Sequence, residues 1–153
     1  ASASASASGG WSGGGGETFR TEVKISKHEP LLKHQDACML VGSCFSTNIG
    51  GVMERYQFDQ MVNPHGVMYN PLALARCLKR LAEPTSYSTD ELTFVEQTGR
   101  WVSWDHSSEF SSPDPLEALD MINTELVKGA EALRRSKMLF LTMGTAWGYC
   151  LEP

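Results

Sequence analysis

A serine and a cysteine stand side by side in GSCFS (residues 42–46), directly after the apolar run ACMLV (37–41) and at the mouth of a helical pattern. A thiol or hydroxyl there sits at the positive end of a helix dipole, beside backbone N–H groups that intrahelical bonds do not consume. Such a position favours a thiolate and can hold a developing oxyanion, which suits a nucleophile. An ordinary reading fits equally well: Ser43 hydrogen-bonds the turn, and Cys44 is a small hydrophobe.

The other residues able to do chemistry are fewer. His106 lies in SWDHSSEFS beside Asp105 and near Glu109, where a carboxylate could orient it as a general base. The structural alternative is that it ties a loop to the sheet through hydrogen bonds. His65 stands in NPHG (63–66), and His28 and His34 flank EPLLK without ligand-like spacing to any cysteine. The four cysteines, Cys38, Cys44, Cys77 and Cys150, form neither CxxC pairs nor a disulfide-dense pattern. The pattern calls for no metal and no cofactor, and this cysteine usage fits a reducing, cytoplasmic compartment.

Composition narrows the partners. A net charge of −5, with no basic cluster longer than Arg134-Arg135, argues against nucleic acid or an anionic membrane surface. No apolar run reaches the roughly 18–20 residues of a membrane span, so a soluble protein with small or weakly charged ligands is expected. At 153 residues and 41% hydrophobic content the chain can bury one core. Residues 1–17, rich in Ala, Ser and Gly, read as a low-complexity tail, leaving 18–153 as one domain. The sequence stops after GTAWGYCLEP, just past a core strand, and reads as an incomplete domain.

The elements that must position these residues follow in order. ACMLV reads as a strand buried on both faces. The helix after it takes Ser46 or Thr47 as its cap, and Ile49, Val52, Met53 and Tyr56 share one face. Gly50 and Gly51 weaken this helix by about 1 kcal/mol each and could let it approach the sheet closely. FDQMV (58–62) is a second strand leading into NPHGVMYNP. Asn70 caps and Pro71 starts a helix bearing Leu74, Cys77, Leu78 and Leu81 on one side.

LTFVEQTGRWVSW (92–104) reads as a hairpin inserted on the main sheet. Its Trp101 and Trp104 lie on opposite faces, so one would be core and the other could line a groove for a sugar or acyl chain. A long helix opens with Asp114 as cap, Pro115 first, and Glu117 placed for a capping box. Leu119, Ile122, Leu126 and Leu133 line its buried face. KMLFLT (137–142) is the third core strand. The alternation implies an open α/β sheet with parallel core strands, whose crevice lies beyond the strands' C-terminal ends. GSCFS, NPHG and GTAW all fall there, which makes Gly42 and Asn63 candidate binding residues beside Ser43 and Cys44.

RTEV, VGSCFSTNIG, NPHGVMYNP, SWDHSSEFS and LTMGTAWGY, in this order, resemble the GSCFA domain family, itself grouped with the SGNH/GDSL hydrolases. The resemblance covers residues 19 to about 150, with Ser46 where the family name has Ala and His65 where an aromatic residue is more usual. It implies a flavodoxin-like three-layer α/β/α sandwich and an esterase-like activity on an ester, of a small molecule or linked to carbohydrate. Cys44 would take the nucleophile position, or Ser43 if the turn is shifted by one. Gly66 would match an oxyanion donor, and Gly144 and Thr145 the start of a Gly-x-Asn block. Ala146 stands where those hydrolases carry Asn, a loss worth roughly 10²- to 10³-fold in rate. The resemblance places the general base in a later loop, and His106 is the matching histidine within this sequence. A rival class is a non-catalytic module holding a glycan or small anion in the same crevice.

Overall fold

The computed structural model describes residues 23–26, 29 and 31–148. The tail at 1–17, His28 and Cys150 lie outside the described residues. The chain divides into two units, Ala1–Leu31 and Leu32–Pro153. In the first, residues 23–26 are exposed and carry no regular secondary structure.

The second unit is of the α/β class. Strands β1 (Cys38–Gly42), β2 (Gln60–Val62) and β5 (Met138–Thr142) form a parallel sheet in the order β2-β1-β5. All five residues of β1 are buried, as a continuous apolar run between two neighbours demands. Its register with β5 runs from Cys38↔Met138 to Gly42↔Thr142, so the two strands end level. Among the described residues β5 lies at one edge of the sheet; its burial alternates, with Leu139 and Leu141 exposed.

Helices α1 (Cys44–Arg55), α2 (Pro71–Ala82) and α3 (Pro115–Arg135) form where caps and periodicity direct. Asn70 Oδ1 accepts the Ala73 N–H at 2.9 Å with Pro71 in the first turn, and Asp114 Oδ1 accepts from Leu116 N at 2.9 Å ahead of Pro115. Leu74, Cys77 and Leu81 of α2 interlock with Ile122 and Leu126 of α3 and with Met39 and Val41 of β1. Each such fully buried side chain contributes about 2 kcal/mol by area. Glu117 does not reach back to close a capping box: its carboxylate accepts from Ser112 Oγ, which in turn accepts the Asp114 N–H at 3.1 Å. The serine occupies the place a direct box would need.

The hairpin, β3 (Thr93–Val95) and β4 (Arg100–Val102), is a separate antiparallel pair rather than an addition to the main sheet, and it packs on α3. Trp101 packs against the core, whereas Trp104 lies past β4 and is exposed.

Helix α1 departs most from its sequence pattern. It begins at Cys44, with Ser43 as cap rather than Ser46 or Thr47. Its sheet-facing residues are Ser46 and Gly50, while Ile49, Val52 and Tyr56 are turned outward, Tyr56 at 69% exposure. Small residues win this face because the helix lies so close to β2: a Cβ on Gly50 would sit 2.4 Å from Val62 Cγ2. Gly51 faces open space.

Candidate functional site

The end of β1 is held by a convergence of short polar contacts. Gly42 has φ +141, and a Cβ on it would stand 1.9 Å from the Thr142 carbonyl oxygen, so the backbones of β1 and β5 meet where only glycine fits. Ser43 N–H then donates to both Thr142 O (2.9 Å) and Thr142 Oγ1 (3.0 Å). The Thr142 hydroxyl also lies 3.1 Å from Ser43 Oγ and 2.7 Å from Ser46 Oγ. Ser43 and Ser46 are both buried. Thr142, which the sequence reading passed over as a strand residue, is the hub of the turn. A hydroxyl ending the partner strand level with GSC was the available signal.

This arrangement separates the two candidate nucleophiles. Ser43 Oγ is buried and engaged, accepting a long 3.4 Å cap bond from Phe45 N and sharing the Thr142 hydroxyl. Cys44 is exposed, a free thiol in the first position of α1, and its Sγ makes no hydrogen bond among the described residues. Cys44 N–H is not taken by Ser43 or Thr142, and no acidic residue occupies the helix's first turn to offset the positive dipole end.

Asn63 braces the turn from β2. Its Oδ1 accepts the Gly42 N–H at 2.7 Å and its Nδ2 donates to Thr47 Oγ1 at 3.0 Å, with its own backbone at φ 45. Both ends of the amide are thus spent on positioning. Gly66 N–H donates to Asn63 O at 2.7 Å, and Gly144 and Thr145 both donate to Tyr69 O, at 2.9 and 3.1 Å. The structure brings Gly42, Ser43, Cys44 and Asn63 together. The N–H groups of Gly66, Gly144 and Thr145 are turned into loop-fixing bonds.

His106 joins a different constellation. Its Nδ1 lies 2.9 Å from Ser103 Oγ, and its ring packs on His65 (4.4 Å between centroids), Tyr87 and Phe110. Among the described residues it makes no hydrogen bond to Ser43 or Cys44. The Asp105 carboxylate pairs with Arg76 at 3.1 Å instead of orienting the imidazole. His65, buried to 1% exposure, lies 2.9 Å from Cys77 Sγ through Nδ1 and 3.4 Å from Tyr87 OH through Nε2. Burial, with a lesser push from Asp105, raises the Cys77 thiol to about 12, so it stays protonated beside His65. Tyr87 is raised to about 12, also chiefly by burial.

Burial, reinforced by Arg80, lowers His65 to about 4, and burial with His65 and Arg80 lowers His106 to about 3. Both rings are neutral in the folded protein at pH 7. Because their folded values lie below the unfolded 6.5, their contribution is complete above pH 6.5 and is lost as pH falls through about 4 and 3. For His65 alone this is on the order of 3 kcal/mol. Urea midpoints should therefore fall between pH 7 and 4.5, and more shallowly in His65→Gln.

The turn carries a stability expectation of its own. Thr142→Val keeps the shape but removes the hydroxyl that contacts Ser43 Oγ, Ser46 Oγ and Ser43 N–H, a loss of about 2 kcal/mol by urea denaturation.

Comparison with known proteins gives one match: the GSCFA family model aligns with residues 37–153, which span the sheet, all three helices and every residue of this site. No curated protein and no solved structure matches the chain.

Proposed function

The chain belongs to the GSCFA family, and on that premise we propose that it is an SGNH-like hydrolase or acyl transferase acting on an ester, of a small molecule or carbohydrate-linked, with Cys44 as nucleophile. The fold that goes with this reading is a flavodoxin-like three-layer sandwich. Its support is the α/β class and the presence of helix contacts to the sheet from both α1 and α3.

One observation carries the assignment: an exposed thiol at the first residue of α1, beyond the C-terminal end of the central strand, on a turn that Thr142 and Asn63 hold from either side. Cys44 Sγ bonds to the acyl carbon, the alkoxide or phenolate leaves with its electron pair, and the thiol proton passes to a base or solvent. Water then attacks the thioester, releasing the acid and restoring the thiol. Cys44 N–H and the helix dipole steady the carbonyl oxygen as it gains charge. His65 and His106 are engaged in the buried cluster, so this scheme assigns the base to neither.

A second reading, a non-catalytic binding module, draws on that same commitment of the histidines and on Ala146 in place of a side-chain donor. Pre-steady-state hydrolysis of p-nitrophenyl acetate separates the two. A burst of about one p-nitrophenolate per chain supports covalent catalysis. A folded protein that releases none beyond the buffer rate favours the binding module.

A further inference from the structure

Next to the GSC turn is a cleft of about 260 Å³, walled by Val67, Met68, Tyr69, Ala73, Trp104 and Trp147. Backbone bonds tie its walls to the strand ends: Met68 N–H donates to Gly42 O at 2.8 Å at the GSC turn, and Tyr69 O accepts from Gly144 and Thr145 in the loop after β5. Its walls thus draw on the segments that follow β2 and β5, the two strands that flank β1.

Several of the polar groups at its margin are already engaged. Asn70 Oδ1 caps α2, Asp105 pairs with Arg76, and Thr145 Oγ1 accepts from Trp147 N at 3.1 Å. His106 is tied through Nδ1 to Ser103, whereas its Nε2 is buried with no hydrogen-bond partner among the described residues. A sugar ring needs several unspent hydrogen-bonding partners on the protein, whereas this cleft offers chiefly apolar and aromatic wall. Its volume equals that of roughly eight or nine waters at about 30 Å³ each, enough for a short hydrocarbon chain or one aromatic ring.

From the apolar and aromatic walls and the bond between Met68 and Gly42, we infer that this cleft is the acyl-group subsite: it holds the short hydrocarbon chain of a medium-chain ester while Cys44 attacks the carbonyl. The inference rests on the hydrolase reading above for the identity of the reaction, but its binding step can be measured separately. Trp104 is held in place by its Nε1–H donating to Thr93 Oγ1 at 3.0 Å, so the aromatic wall is fixed before ligand arrives.

The test is calorimetric titration of the full chain with octanoate, alongside hydrolysis of p-nitrophenyl acetate, butyrate and octanoate. Trp104→Ala removes an exposed wall and Ala73→Phe fills the space; urea midpoints establish that each is folded, and Trp104→Ala alone decides if Ala73→Phe is not. Octanoate should bind with a negative heat-capacity change, unchanged in Cys44→Ala and weakened about tenfold in the cleft variants. Ester hydrolysis should rise with chain length in the wild type and flatten in the variants. Absence of octanoate binding, or equal binding in the cleft variants, overturns the subsite, and continuing chain-length-independent turnover would then leave the hydrolase reading standing. Cleft-dependent binding with no turnover or burst overturns the hydrolase reading and leaves the cleft as a hydrocarbon-binding site.

Discussion

Cys44→Ala is expected to reduce p-nitrophenyl ester hydrolysis by on the order of 10³-fold or more, to the buffer rate, without changing the urea midpoint by more than about 0.5 kcal/mol. The two halves of this expectation come from one fact: the thiol is exposed and touches nothing that holds the fold together. Ser43→Ala should give the opposite pattern. Ser43 caps α1 and shares the Thr142 hydroxyl, so its loss costs about 1 kcal/mol of stability and leaves a Cys44 that still reacts. A Ser43 variant that loses all activity while Cys44→Ala retains it would assign the nucleophile to the other residue.

Gly42→Ala is expected to be the most destabilising single-methyl change in the described fold, at about 4 kcal/mol or more, with the protein failing to accumulate in soluble form or unfolding at much lower urea. Its φ of +141 lies where side chains are strained, and the new methyl would meet the Thr142 carbonyl oxygen at 1.9 Å. Backbone cannot swing aside as a side chain can, so β1 and β5 would have to part. Gly51→Ala is the matched control, since that glycine sits mid-helix facing open space. It should stabilise by about 0.5–1 kcal/mol, measured in the same denaturation series.

Much of the fold was legible because its signals are local. Asn70-Pro71 and Asp114-Pro115 announce helix starts within a few residues of where they act, and the apolar run through Val41 marks a central strand by itself. Helix α1 was misread because its orientation is decided elsewhere. Ser46 meets Thr142 across 96 residues of sequence and Gly50 meets Val62, contacts that no periodicity within the helix can reveal. The apolar spacing of Ile49, Val52 and Tyr56 was real but describes an outward stripe.

The site divides in the same way. A strand running into Gly-Ser-Cys and a helix is read from the sequence, and the structure has that strand, turn and helix, with Asn63 and Thr142 bonded to the turn. His106 drew attention through its neighbour Asp105, yet adjacency in the chain did not become a hydrogen bond: Asp105 turns to Arg76 and His106 to Ser103. His65 is the centre of a buried Cys77-His65-Tyr87 cluster that fixes the NPHG loop. Burial of these rings follows from α2 and the hairpin loop closing over them, a tertiary event.

The most direct measurement of the central claim is intact-mass spectrometry of the protein quenched in acid within the burst of p-nitrophenyl acetate, followed by peptide mapping. A single acetyl group on the peptide containing Cys44, absent in Cys44→Ala and retained in Ser43→Ala, is the predicted result. Folded protein that carries no acetyl group, or carries it on another residue and keeps it in Cys44→Ala, would contradict the account.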